Sequence, residues 1–326
     1  MIEREHFIPN EDETLEQYKY RLYAHKEIDK TMTWADVQFL LGYYFDSHKT
    51  IDFLRHEYYG SRKLKEIEEI NVGTRILCVS DTHVPFNLPV ETFAEYRGKV
   101  DVLVFNGDIL DNQSLSKFSK LYRVPIMEEM VRGREFMINL IEYIRPKKVK
   151  VNYGNHEARL NKYLADRLNE DVLELMPTTV LDYIMTTGFT HYNHRERTRV
   201  FYEPLCGLFD DIEVEYTKSW WCKVGQTIFC HPSAFSSGIL KTTEKAMQYF
   251  LQERESFDSV VMAHTHQMGW TYFGKIHLFE QGCCCDSSEM SYTDGKLYKS
   301  QTNGFAYIVQ DKIGNLIYDK SKLVLL

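Results

Sequence analysis

The sequence predicts an α/β protein preceded by a small helical region. Two observations carry that prediction. From Arg75 onward, short apolar runs rich in Val and Ile alternate with helical stretches, as expected for strands buried on both faces of a layered sheet. Five of these runs are followed at once by Asp, Asn or His. Ligands of open α/β sheets bind beyond the carboxyl ends of strands, so clusters far apart in sequence can meet there. The boundaries that follow are 1–72 for the helical region and 73–326 for the α/β domain.

The elements are justified in chain order. Glu13 to Lys30 places Leu15, Tyr18, Leu22 and Tyr23 at helical spacing. Thr33 is suited to cap a second helix, with Asp36 three positions on, and Ser47 to cap a third. A short turn joins these last two, a helix-turn-helix-like pattern that plain helical hairpins share. Strands are expected at 75–80, 100–106, 147–153, 227–230, 259–263, 275–281 and 305–310.

Composition narrows the class. With 326 residues, 44% of them hydrophobic, the chain buries a full core without disulfides. A net charge of −8 argues against a protein that coats nucleic acid, yet leaves room for a local basic groove. Seven cysteines without a spaced framework suit a reducing cytosol. The acidic N-terminus lacks the apolar stretch of a signal peptide, and no segment approaches the ~18 apolar residues of a membrane span. A cytoplasmic location without membrane contact is expected. The run Cys283, Cys284, Cys285 reads as a strand end or loop, with soft-metal binding as the alternative.

The polar clusters are Asp81-Thr-His83, Gly107-Asp108-Ile-Leu-Asp111, Gly154-Asn155-His156-Glu157, His231 and His264-Thr-His266. They offer O and N donors, which suit Mn, Fe or Zn, and no cysteine. Each alone is weak; all five in order, each after an apolar run, are specific.

That order resembles the calcineurin-like metallophosphoesterases over about Arg75 to Phe305. The strings GDILDNQSLSKFSK and GNHEARLNKYL are similar to phage- and prophage-encoded members, which implies a host cytoplasm. The resemblance implies a four-layer αββα sandwich and two divalent metal ions, Mn foremost with Fe, Zn or Ni as alternatives. It implies that Asp81, His83 and His266 hold one metal, that Asn155, His231 and His264 hold the other, and that Asp108 bridges both. A metal-bridging hydroxide then attacks the phosphate ester. His156 matches the histidine that assists the leaving group, and Asp111 the carboxylate that orients it; a loop or helix cap is the other reading of Asp111.

Two departures stand out. Asn112 and Gln113 replace the Arg-Gly of the family's protein phosphatases, and Ala263 replaces the glycine before the last H-x-H. Arg159 is read either as a substrate-phosphate contact, together with Asn155, or as a helix-face salt bridge. The segment His191 to Arg199, with Arg195 and Arg197, is a basic insertion suited to phosphate recognition or to solvent. His191 and His194 are surplus to the metal set.

The substrate reading leans to a phosphodiester, a nucleotide or nucleic acid, supported by Lys117, Lys120, Arg123, Arg132 and Arg134. A phosphomonoesterase, including a protein phosphatase, is the alternative. A DNA-binding or scaffold protein with an inactive fold is a third reading, opposed by the complete ligand set. Residues 1–72 carry ten Lys and Arg against fifteen Asp and Glu, which disfavours DNA recognition despite Lys49, Arg55, Arg62, Lys63 and Lys65. Ile51, Leu54, Tyr58 and Tyr59 give the third helix an apolar face, so docking onto the catalytic domain or a second subunit is expected.

Overall fold

The computed structural model describes residues 7–11, 13–117, 123–194, 196–286 and 301–326, with the backbone alone over 61–70. The chain divides into two compact units, Met1–Asn71 and Val72–Leu326.

The first unit contains α1 (Leu15–Ile28), α2 (Trp34–Phe45) and α3 (Ile51–Asn71). Thr33 and Asp36 form a reciprocal capping box at the start of α2, as the sequence suggests. Ser47 does not cap α3. The chain leaves α2 through a left-handed Asp46 (φ 52°) and turns over the next residues, so the helix begins at Ile51. The Thr50 hydroxyl accepts the Phe53 N–H at 3.3 Å and takes the capping role.

Tyr18, Leu22, Val37, Leu40, Leu41 and Leu54 are buried together, and Ile51 and Tyr58 pack on them. The apolar face of α3 is thus largely satisfied within its own unit, while Tyr59 stays 57% exposed. The side chains of Arg62, Lys63 and Lys65 lie outside the described residues.

The second unit is built on two sheets. Its strands are β1 (Val72–Val79), β2 (Val102–Asn106), β3 (Lys148–Asn152), β4 (Phe189–Asn193), β5 (Thr198–Tyr202), β6 (Glu213–Tyr216), β7 (Trp221–Val224), β8 (Thr227–Cys230), β9 (Ser259–Met262), β10 (Met268–Phe273), β11 (Ile276–Gln281), β12 (Gly304–Asp311) and β13 (Lys322–Leu325). The first sheet runs β13-β12-β1-β2-β3-β6, and the second β10-β11-β9-β8-β7. Both have parallel centres, β1-β2-β3-β6 and β8-β9-β11, with antiparallel strands at the margins.

Side-chain alternation makes the layers. Ile76, Cys78, Val102 and Val104 of the first sheet meet Phe229, Val261 and Phe279 of the second in one buried cluster. The alternate residues Leu77, Val79, Leu103 and Phe105 face outward onto Phe136, Met137, Leu140 and Ile141 of α4 (Ile126–Ile144). On the far side Ile228, Cys230, Val260 and Met262 meet the other long helix of this unit (Lys241–Gln252) through Ala246, Met247 and Phe250. The order is helix, sheet, sheet, helix, the four-layer sandwich expected.

All seven expected strands are present. The six others lie at sheet margins or, for β4 and β5, in a separate hairpin. His191 to Asn193 end β4, Thr198 and Arg199 begin β5, and Arg197 lies in the turn between them; Arg197 and Arg199 are exposed, and Arg195 lies outside the described residues. Among the described residues no helix is long and apolar enough to cross a membrane.

Candidate metal centre

The polar clusters occupy the loops that leave β1, β2, β3, β8 and β9, and the structure brings them together. Donor atoms of Asp81, His83 and His266 lie within 4.8 Å of one another, as do those of Asp108, His231 and His264 and those of His83, Asp108 and His156. His266 Nε2 is 3.1 Å from Asp81 Oδ1 and from His83 Nε2. His231 Nε2 is 3.2 Å from Asp108 Oδ2 and 3.9 Å from Asp81 Oδ1.

Each carboxylate is anchored on one oxygen and presents the other. Ser80 Oγ and the His264 N–H donate to Asp81 Oδ2 at 2.7 and 3.2 Å, and Gln281 in turn donates to Ser80 at 2.8 Å. Asp108 Oδ1 accepts the His156 N–H at 2.8 Å, leaving Oδ2 toward His231. His231 Nδ1 lies 2.8 Å from the Asn106 carbonyl, which can only accept, so Nδ1 carries a proton and Nε2 is the nitrogen that faces the centre.

Buried polar groups normally find partners. Here Asp81 Oδ1, Asn155 Oδ1, His231 Nε2 and His264 Nε2 are buried and make no hydrogen bond. Four such atoms, all of ligand type and all on the loops at one end of the two sheets, fit divalent cations.

The backbone reaches this arrangement under strain. Asp81, His83, Asp108, His264 and His266 have φ of 49°, 45°, 49°, 89° and 56°, a left-handed region that Asp and His tolerate better than most residues but that still costs about 1–3 kcal/mol each. Two glycines make room. A Cβ on Gly107 would lie 2.6 Å from the His231 ring, and one on Gly154 would lie 2.1 Å from Asp108 Oδ1.

Electrostatics divides the histidines. Burial lowers His231, but Asp108 and Asp81 outweigh it and hold the ring up to about 9. Burial likewise opposes His266, and Asp81 overrides it, raising the ring well above its usual value. Burial wins at His264 and His156, each pushed down to about 4, with His231 adding to the effect on His264. Burial would raise Asp81 and Asp108, yet the surrounding imidazoles hold both below the ordinary carboxylate range.

His156 and Asp111 are in contact: Nδ1 is 3.1 Å from Asp111 Oδ1. Arg159 lies on the same side and donates to the Asp111 carbonyl at 2.7 Å, with its other nitrogen 2.7 Å from His156 Nε2. It also lines, with Asn155, a groove of 510 Å3. Of the basic residues read from sequence, Lys117 and Arg123 line that groove. Arg132 instead pairs with Glu128 and Arg134 binds the Glu203 carbonyl; Lys120 lies outside the described residues. His191 and His194 belong to no donor cluster among the described residues.

One feature escaped the sequence reading, and a second was only its alternative, the soft-metal reading of the triple cysteine. Glu157 is fully buried and accepts from the N–H groups of Asp108, Ile109, Leu110 and Gly154 at 2.7–3.0 Å, clamping the loop after β2 to that after β3. Its place in the Gly-Asn-His-Glu string was the available signal. Cys283 and Cys285 put their thiols within 4.8 Å of a His266 donor atom, although the cluster motifs contain no cysteine. Hydrogen bonds from Cys285 and His266 hold the Cys283 thiol down.

Among solved structures, similar chains include vacuolar protein sorting 29 from Cryptosporidium parvum (13% identity, 78% of this chain and 98% of that one, TM-score 0.36). An archaeal phosphodiesterase (14%, 77% and 99%, TM-score 0.33) and a metallophosphoesterase from Sphaerobacter thermophilus (12%, 78% and 88%, TM-score 0.36) are also similar. No curated protein matches the chain. The sequence profile of the calcineurin-like phosphoesterases matches residues 74–268, the stretch that carries all five clusters, and the chain belongs to that family.

Proposed function

We propose that this phosphoesterase hydrolyses a phosphodiester at a two-metal centre. Asp81, His83 and His266 would hold one cation, Asn155, His231 and His264 the other, and Asp108 would lie between them. The observation that carries this reading is the set of buried donor atoms that face only one another or nothing: Asn155 Oδ1 and His264 Nε2 without a hydrogen bond, Asp81 Oδ1 against His266 Nε2, and His231 Nε2 against Asp108 Oδ2. When bound, two divalent cations supply Lewis acidity at the phosphate and lower the pKa of water. The O and N donors favour Mn, and the thiols beside His266 make Zn or Fe the next choice at that position.

The chain's own residues do the rest. Arg159 is placed to trade its contact with His156 for a phosphate oxygen, and that exchange frees His156 Nε2 to face the leaving oxygen. Asp111 fixes the imidazole. The diester preference is supported by Asn112, which stands where the family's protein phosphatases have an arginine. Its amide donates to the His156 carbonyl at 3.0 Å, so the position offers a dianionic monoester no cation. The N-terminal unit, net negative over residues 1–72, is read as a docking element for the catalytic domain or a second subunit, not a DNA reader.

The deciding experiment measures the Mn-loaded protein on bis-p-nitrophenyl phosphate and p-nitrophenyl phosphate. A diester-to-monoester ratio of kcat/KM well above one is expected. A ratio below one transfers the reading to a phosphomonoesterase, and no turnover of either ester with two metals bound removes it.

A further inference from the structure

Two cavities border residues of the metal centre. One is the 510 Å3 groove that Asn155 and Arg159 share. Among the described residues its other charged side chains are Lys117, Arg123, Lys162 and Arg167, with Asp166 the one carboxylate. Lys117 is 3.6 Å from Asp166 and Arg159 is 3.9 Å from Asp111 Oδ1, while Lys162 and Arg167 make no ion pair among the described residues, so the lining carries an excess of positive charge. That excess stands out on a chain whose net charge is −8. Tyr163 lies in the same groove, 39% exposed, with the Arg167 guanidinium 3.8 Å from its ring centre.

The other is a cavity of 380 Å3, whose aromatic walls are Trp220, Phe235 and Tyr249. Ser233 borders both cavities. The Phe235 ring is 5.5 Å from that of His264, which ties this cavity to the centre. Tyr249 is 44% exposed.

A cationic track followed by aromatic surface is how proteins hold single-stranded nucleic acid: the track follows the phosphates, and bases stack on rings. The volumes fall within the ~300–1,000 Å3 of small-molecule sites, enough for a nucleotide unit on each side. A phosphoprotein or an inorganic phosphate would use the cations but leave the aromatic cavity without a role.

We propose that the groove and the aromatic cavity together bind a single strand of nucleic acid, with phosphates along Lys162 and Arg167 and a base against Tyr249, so that the diester between them lies over the metal centre. The substrate class thus rests on the phosphodiesterase reading above, while the binding itself does not.

The test is fluorescence anisotropy of the full-length, chelator-treated protein with a short fluorescein-labelled single-stranded oligonucleotide over a salt series, alongside turnover of bis-p-nitrophenyl phosphate by the Mn-loaded protein. The double variant Lys162→Ala/Arg167→Ala is expected to bind at least about tenfold more weakly at ~0.15 M salt and to lose about 0.7 per removed contact from the slope of log K against log salt. Tyr249→Ala is expected to bind about tenfold more weakly with the slope unchanged. Equal binding by wild type and variants, no binding by either, or preference for the duplex of the same sequence overturns the proposal. If bis-p-nitrophenyl phosphate is hydrolysed and the strand is not bound, this inference fails alone. If the strand binds in the expected pattern and no ester is hydrolysed, the phosphodiesterase reading fails and the binding site stands.

Discussion

Asp111 confronts Nδ1 of His156 with two acceptors, its carboxylate Oδ1 at 3.1 Å and its own backbone carbonyl at 3.0 Å. The group opposite Nε2 is Arg159, an obligate donor, at 2.7 Å. The tautomer is therefore fixed with the proton on Nδ1 and a lone pair on Nε2. Burial, holding the ring down to about 4, keeps it neutral near pH 7. Any proton that reaches a leaving group through Nε2 must first be taken up there, after Arg159 has moved.

This arrangement ties the role of His156 to the leaving group. His156→Asn should keep both metals and lose roughly 10²–10⁴-fold in turnover of an alkyl ester, the usual contribution of a general acid–base group. The loss should shrink for p-nitrophenyl esters, whose leaving group needs no proton. Asp111→Asn should shift both rates in the same direction by less. Equal losses for alkyl and p-nitrophenyl esters would show that His156 does not serve the leaving group.

Metal removal should abolish activity, and Mn should restore it. Asp108→Asn should be the most damaging single ligand change, because Asp108 donor atoms group both with His231 and His264 and with His83 and His156. Elemental analysis and steady-state turnover on the same preparations check this. Full activity of a metal-free protein, or two tightly bound metals with a near-native rate in Asp108→Asn, contradicts it.

Most of the strands legible in sequence share one property: their side chains face one environment. β2, β8, β9 and the second half of β1 are buried on both faces, so they read as apolar runs, whereas β3 alternates half-buried Lys148 and Lys150 with buried Val149 and Val151. β10 was missed because Trp270, Tyr272 and Phe273 are 53–65% exposed and sit between a glycine and polar residues. β6 was missed because Glu213 and Glu215 alternate with Val214 and Tyr216, paired across the sheet edge to Lys148 and Lys150. The metal-centre residues were legible because they sit at strand ends in a recognisable order. The Glu157 clamp was not, since its four acceptor contacts run to the backbone, and backbone groups leave no signature in side-chain identity. The Cys283–His266 approach depends on where a loop lies over the sheet, which spacing does not encode.

Lys19 makes a stability prediction for the N-terminal unit. It is 1% exposed, 2.5 Å from Glu16 and 2.7 Å from Glu57, and joins α1 to α3. Burial would raise Glu57, but Lys19 outweighs it and holds the carboxyl below its ordinary 4.5. Burial would lower Lys19, and the two glutamates outweigh it, holding the amine above 10.5. The pair's contribution is therefore full between these ordinary values, is lost in acid as Glu57 protonates, and is lost in alkali as Lys19 deprotonates. Lys19→Ala should destabilise this unit by about 1–3 kcal/mol, less than a fully buried pair because both carboxylates reach water. Lys19→Met should recover part of that loss and flatten the acid limb. Denaturant melts of the full chain between pH 3 and pH 7 measure it (~4 units spanning the glutamate range); an acid limb as steep in Lys19→Met as in wild type refutes the pairing.

The last prediction concerns space rather than charge. Gly154 has no left-handed torsion to explain it, yet an added Cβ would lie 2.1 Å from Asp108 Oδ1 and 2.5 Å from the Asp108 nitrogen. Neither atom can give way easily: Oδ1 accepts the His156 N–H at 2.8 Å, and the nitrogen donates to Glu157 at 3.0 Å. Gly154→Ala must push Asp108 off the position it shares with His231, so it should lose at least one bound metal and at least about 100-fold in turnover, comparable to the loss of a metal-positioning contact. Gly60→Ala is the control. Gly60 sits inside α3, has nothing within 4 Å of its missing Cβ, and has no left-handed torsion. There the same methyl should stabilise by about 0.5–1 kcal/mol through helix propensity, with activity unchanged. Metal content by elemental analysis, turnover, and thermal melts of both variants decide the matter. A Gly154→Ala protein with two metals and a near-native rate would mean that Asp108 tolerates displacement and that the close approach of the two loops is incidental.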